Sequence, residues 1–235
     1  MKRVPLCLLL LVALFTVSAG DSKPKTQHHA SGKSAASEQA EALQKLIAGN
    51  RRFVAHRMQR PNDSIARRVD LAKNGQRPFA IILSCSDSRV PPEVVFDKGL
   101  GDLFVVRVAG NVANDAVIGS IEYAAEHLGA KLVLVLGHES CGAVSAAIAN
   151  NREAHVAALV DAIKPAVDKV NASQPEARKP SQAEHTAQVV KANVELVASQ
   201  LKASDPVLAK MVREGELKIV GGYYNLKSGR VDLLQ

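Results

Sequence analysis

The chain opens on an almost unbroken apolar run from Leu6 to Val17. Lys2 and Arg3 precede it and the small residues of Val17-Ser18-Ala19-Gly20 follow, which predicts a secretory signal peptide over 1–19 with cleavage near Ala19. A membrane-spanning helix needs about 20 apolar residues; this run is shorter and no second one follows. Residues 20–36 are small, polar and without period, the composition of a flexible linker. A helical period then sets in: Ser37 is placed to cap a helix that carries Ala42, Leu43, Leu46, Ile47 and Phe53 on one face. A second short helix is expected over Ser64 to Ala72, ending at Asn74-Gly75. Three short, continuously apolar runs follow, at Phe79–Leu83, Leu103–Val108 and Lys131–Leu136, the pattern of strands buried on both faces. A helix capped by Asn114 and stopped at Gly129 separates the second run from the third, with Val117, Ile118, Ile121, Ala124, Ala125 and Leu128 at helical spacing. Helix is expected from Cys141 to about Val170, interrupted at Pro165, then a polar loop over Asn171–Pro180 and one or two helices reaching Arg213. Two strands, Leu217–Leu226 and Val231–Leu234, complete the chain. The fold class is therefore α/β, a central and mostly parallel β-sheet flanked by helices, in a single domain over 37–235.

Composition narrows the function. Removing residues 1–19 takes Lys2 and Arg3 with it and lowers the formal charge from +7 to +5. The remaining basic residues are interspersed with acids, tryptophan is absent and aromatic residues are 3% of the chain, so stacking surfaces for nucleic acid are missing. The charge belongs to solvated helix faces, and neither a nucleic-acid partner nor a membrane partner after cleavage is expected. An exported chain, periplasmic or secreted, keeps two cysteines, Cys85 and Cys141. In an oxidising compartment these form a disulfide readily, and a disulfide-bonded, non-catalytic binding protein is one alternative.

Their neighbours favour a metal. Cys85 ends the first buried run in Ser84-Cys85-Ser86-Asp87-Ser88-Arg89, and His138 and Cys141 end the third in Gly137-His138-Glu139-Ser140-Cys141-Gly142. Open α/β sheets gather ligands at the carboxyl ends of their strands. Two thiolates and an imidazole suit Zn2+ and leave one tetrahedral position open for chemistry. Gly137 and Gly142 are expected to let the backbone turn closely around the metal. Asp87 and Arg89, two apart, point the same way in extended chain and can pair with each other or with a neighbour, either as an ordinary loop salt bridge or as a clamp that holds the carboxylate ionised beside the metal.

The motifs Cys85-Ser-Asp87-Ser-Arg89, Asp102-Leu-Phe-Val-Val-Arg-Val-Ala-Gly-Asn111, Glu122-Tyr-Ala124 and Gly137-His138-x-x-Cys141-Gly142 resemble those of the β-class carbonic anhydrases, here an exported bacterial member. The likeness runs from about Ala42 to Ala146 and is weaker in the C-terminal strand. It implies that Cys85, His138 and Cys141 bind zinc and that Asp87 and Arg89 form a catalytic dyad. It also implies that Gln76, Phe104, Ala109, Tyr123 and Gly142 line the substrate pocket, some of them contributed by a neighbouring subunit of a homodimer or homotetramer. Without the resemblance, Phe104 and Ala109 are strand packing, Tyr123 is helix packing and Gln76 is a surface turn residue. The implied reaction is reversible hydration of carbon dioxide to bicarbonate by a zinc-activated water, with hydrolysis of carbonyl sulfide or carbon disulfide as an alternative on the same ligands. His127 is a proton-shuttle candidate only through its near-neutral titration. Some members of the class carry a second, non-catalytic bicarbonate site, with a tryptophan three residues before the first zinc cysteine and a glycine one before it. Ile82 and Ser84 stand there in this sequence, and Arg107 matches that site's arginine, so no such switch is expected.

Overall fold

A computed structural model describes residues 33–174 and 180–234; the expected signal peptide and nearly all of the expected linker, with Cys7, His28 and His29, lie outside the described residues. In chain order the elements are α1 (Ala35–Val54), α2 (Ile65–Asn74), β1 (Ala80–Ser84), α3 (Pro92–Val95), β2 (Leu103–Arg107), a 3-10 turn (Ala109–Asn111), α4 (Asp115–Glu126), β3 (Leu132–His138), α5 (Gly142–Ile148), α6 (Val156–Ala172), α7 (Gln182–Lys202), α8 (Leu208–Arg213), β4 (Lys218–Tyr224) and β5 (Val231–Leu234). The strands form one sheet in the order β2-β1-β3-β4-β5. Pairing is parallel through β4, and β5 returns antiparallel at the edge.

The central strands β1 and β3 are buried at every position, as their unbroken apolar runs require. Alternate residues serve opposite faces. Ile81, Leu83, Val133 and Val135 pack under α4, α7 and α8, while Ala80, Ile82, Leu132, Leu134 and Leu136 face α1 and α3. A third apolar cluster, drawn from α5, α6 and α7, lies around Cys85 and Cys141 beyond the strand ends. Ser64 caps α2 by accepting from the Arg67 N–H, and Asn114 caps α4 by accepting from the Val117 N–H.

Several details differ from the sequence pattern. The cap of α1 is Ser34, whose hydroxyl accepts from the Ser37 N–H at 3.3 Å, so Ala35 and Ala36 are already helical and Ser37 is inside the first turn. Pro165 does not interrupt its helix; it sits within α6. The break comes earlier, between Ile148 and Val156, where Asn150 and Ala154 adopt left-handed backbone (φ 51° and 43°). The four-residue helix α3 is too short to carry a period and left no sequence signal.

Candidate metal centre

Strands β1 and β3 lie side by side in parallel register, with Ser84 opposite Leu136, so the residues that follow each strand emerge at the same sheet edge. Cys85, His138 and Cys141 are all buried there, and their ligand atoms lie within 4.8 Å of one another. The two sulfurs are 4.0 Å apart and both thiols are free. That separation is about twice a disulfide bond length, which does not favour the disulfide alternative. Two sulfurs each ~2.3 Å from zinc at a tetrahedral angle lie about 3.8 Å apart, close to the spacing found. His138 donates from Nδ1 to the Glu139 carbonyl at 2.9 Å, which leaves Nε2 as the acceptor nitrogen. Nε2 is buried and has no protein hydrogen-bond partner, an arrangement that is costly unless the lone pair meets a cation. The donor set, its spacing and this orphaned nitrogen fit zinc.

Contact with Cys141 is the main influence holding the Cys85 thiol low against burial, with His138 and the Gly110 N–H assisting. The same contact, with burial, pushes Cys141 up. The contact therefore favours the first negative charge on the pair and opposes the second. Burial pushes His138 down, but the Cys85 thiolate and the Glu139 carbonyl outweigh it and raise the imidazole.

Asp87 lies beside this cluster, its Oδ2 3.8 Å from His138 Nε2. Arg89 grips it twice, Nε to Oδ1 at 2.9 Å and Nη2 to Oδ2 at 2.7 Å, and adds its own backbone N–H to Oδ1 at 2.9 Å. These bonds hold the carboxyl well below the usual carboxylate range. Arg107, at the end of β2, donates to the carbonyls of Cys85 (3.1 Å) and Asp87 (2.7 Å) and so fixes the loop that carries both.

Glycine acts here, but at a different place from the sequence expectation. Gly142 has open space where a Cβ would stand, and Gly137 is needed because a Cβ would come within 2.6 Å of Val194 on α7. The residue that bends close to the ligands is Gly110, at φ 71°, whose N–H donates to Cys85 Sγ at 3.3 Å. Asn193 of α7 anchors that peptide by donating from Nδ2 to the Gly110 carbonyl at 2.9 Å. Neither was singled out from sequence, although a polar Asn193 between Val189, Val190 and Val197 on an apolar helix face is a visible signal.

The comparisons with known proteins agree with this geometry. The family model described as carbonic anhydrase matches residues 80–231. Carbonic anhydrase 2 of Mycobacterium tuberculosis is 41% identical over 192 residues, covering 82% of this chain and 91% of the relative. The carbonic anhydrase of Mycolicibacterium smegmatis is 42% identical over 195 residues, with the same coverage. The chain belongs to the carbonic anhydrase family. Its fold is that of the β class: the β-carbonic anhydrase CcaA superposes with a TM-score of 0.65 at 25% identity, covering 82% of this chain and 95% of that one. The Coccomyxa β-carbonic anhydrase solved with acetazolamide gives 0.65 at 26% identity, covering 82% and 86%. Carbonic anhydrases of this class are zinc enzymes, and Cys85, His138 and Cys141 fit that metal.

The remaining residues expected at the pocket divide. Ala109 opens the turn that contains Gly110, and Gly142 starts α5 directly after Cys141. Tyr123 is 52% exposed on α4, its ring 6.5 Å from Phe104 and 5.3 Å from His127. Gln76 is exposed just past the end of α2. Phe104 pairs with Ile81, four residues before Cys85, which sets it ~13 Å back along the strands.

Proposed function

We propose that this chain hydrates carbon dioxide reversibly, giving bicarbonate and a proton, at a zinc centre held by Cys85, His138 and Cys141. The observation that carries this is the convergence of three ligand atoms within 4.8 Å beside a carboxylate gripped by a guanidinium. When bound, zinc supplies the Lewis acidity that lets a water lose its proton near neutral pH. The protein does the rest. Two thiolates donate more charge than imidazoles, so the centre is less acidic than an all-histidine one. Asp87, kept ionised by Arg89, accepts a hydrogen bond from the attacking oxygen and aims its lone pair at the carbon of the substrate. Arg89 holds that carboxylate and Arg107 the backbone of the loop that carries it, so little reorganisation is needed as charge moves.

Ala109 and Gly142 line the pocket from the same chain. Gln76, Phe104 and Tyr123 reach it from a second copy, since Phe104 lies well back from the strand ends and Tyr123 faces solvent. Ile65 and Val69 on α2 are 73% and 60% exposed, large apolar residues of the kind that a subunit contact covers. The protein is accordingly a homodimer or a tetramer built from such dimers. It is an exported bacterial enzyme, periplasmic or secreted, with residues 1–19 removed as a signal peptide and the linker that follows giving way to one catalytic domain at the Ser34 cap of α1. Among the described residues no helix is long and apolar enough to cross a membrane.

Metal analysis of the purified protein, paired with stopped-flow carbon dioxide hydration, tests this. About one zinc per chain is expected, with metal and activity both lost in Cys85→Ala, His138→Ala and Cys141→Ala. Stoichiometric zinc surviving in any of the three overturns the assignment.

A further inference from the structure

The sequence treats Glu139 as one of two unconstrained positions in His-x-x-Cys, yet every polar group of this residue is engaged. Strand β3 ends at His138, in register with Tyr224 of β4. The Glu139 N–H carries the ladder one step further, donating to the Tyr224 carbonyl at 2.8 Å. Its carbonyl accepts from His138 Nδ1 at 2.9 Å. Its carboxylate Oε2 accepts from the backbone N–H of Leu226 at 3.0 Å, a contact across 87 residues of sequence. The next residue, Ser140, turns left-handed at φ 54° on the way to Cys141.

We propose that Glu139 is a positioning residue for the metal centre, acting through His138. The inference rests on the zinc assignment above and deepens it. A ligating histidine needs its second nitrogen held by an acceptor, which fixes both the tautomer and the angle of the ring. Here that acceptor is a main-chain carbonyl, and its direction is set by the backbone of Glu139. The side chain supplies the tether: by capturing the Leu226 N–H it pins the peptide to the chain leaving β4, on the far side of the β3–β4 pair. Held at its N–H alone, Glu139 can pivot about that bond; held at both its N–H and its side chain, its Cα is fixed, which restricts where the carbonyl of the next peptide points and so steadies the His138 ring with Nε2 towards the two sulfurs. The carboxylate thus governs how firmly zinc is held and leaves the donor set itself unchanged.

The test uses the full zinc-loaded protein and reads metal release to excess chelator, with the visible absorption spectrum of the cobalt(II)-substituted form as a second measure. Glu139→Ala is expected to release zinc about 10- to 100-fold faster than wild type, the range for loss of a group that orients a ligand. Glu139→Gln keeps an acceptor oxygen at the same reach and is expected to stay within about threefold of wild type. Glu139→Asp is one methylene too short to reach Leu226 and should resemble the alanine variant, which keeps the test alive if Glu139→Ala does not fold. The cobalt bands should shift in the Ala and Asp variants and not in Gln. Wild-type release rates in Glu139→Asp, or a glutamine variant as leaky as the alanine one, overturn the proposal. A wild-type protein lacking stoichiometric zinc overturns the zinc assignment itself, and this inference falls with it.

Discussion

At Asp87 a single side chain does work that depends on its neighbours. Left alone beside two buried thiols and an imidazole it would repel the thiolates; bound on both oxygens by Arg89 it stays ionised and stationary. Neither residue fills the ligand set, so Asp87→Asn and Arg89→Ala are expected to retain zinc and lose hydration rate by on the order of 100-fold, the scale of misplacing a reacting group by ~1 Å. Zinc content and stopped-flow rates on the same samples check this, and near-normal rates in both variants would make the pair structural. Gly110 is the second such residue. An added methyl would lie 2.7 Å from Ile163 and 3.1 Å from Ala143, at a φ that disfavours any side chain. Gly110→Ala should cost about 1–3 kcal/mol of stability and turn the N–H away from Cys85 Sγ, measurable as a lower denaturation midpoint together with looser zinc.

Among the elements, the join between α1, the loop before α2 and α3 turns on Asp97. This fully buried carboxylate accepts from Arg52 Nε at 2.6 Å and from the backbone N–H groups of Gln59 and Arg60. Burial alone pushes its pKa up, but the Gln59 N–H, Arg52 and the Arg60 N–H more than offset that, and the carboxyl lies below its ordinary value. A lowered folded-state pKa stabilises the protein above the unfolded value of about 3.9, and the contribution is lost as pH falls through the folded pKa. Asp97→Asn is therefore expected to cost about 1–3 kcal/mol at pH 7, with the difference from wild type shrinking below about pH 4. Denaturant melts of both proteins across that range decide it; a difference independent of pH would mean that the charge is irrelevant.

For the molecule as a whole, the proposal that two copies share the pocket makes a prediction that a self-contained subunit does not. Cys85→Ala lacks a metal ligand but offers an intact Phe104, while Phe104→Ala has the ligands and lacks the ring. Coexpressed, the two chains should form mixed dimers with one complete site, reaching about a quarter of wild-type activity if assembly is random. Activity no greater than that of the parent proteins would place the whole pocket in one chain. The same assembly should show a simple pH response. Ile82 and Ser84 are fully buried, and Arg107 is already spent on two carbonyls of the ligand loop. Hydration is expected to rise with pH along a single-proton curve that added bicarbonate does not steepen; a cooperative acid loss deepened by bicarbonate would contradict it. N-terminal sequencing of fractionated native protein, expected to begin near Gly20, checks export.

The sheet was legible in the sequence because its central strands are buried on both faces. Desolvation leaves little choice but continuous Val, Ile and Leu at 81–83 and 132–136, and such runs stand out against any helical period. The candidate ligands were legible for a related reason: Cys85, His138 and Cys141 come at the ends of those runs, and a parallel sheet brings the ends of paired strands to one edge. Short-range patterns misplaced the cap of α1, because Ser34 and Ser37 are chemically alike and only the path of the chain chooses between them. They also put an interruption at Pro165 in a helix that runs through it unbroken. What no local pattern contains is contact between distant segments. Asn193 reaches Gly110 across 83 residues and Glu139 reaches Leu226 across 87, so the groups that orient the ligands were decided only when the chain closed. Residue type, burial period and strand order thus follow from the sequence through hydrophobicity and backbone sterics; the aim of each donor follows from tertiary packing, since hydrogen bonds need direction and only the folded backbone supplies it.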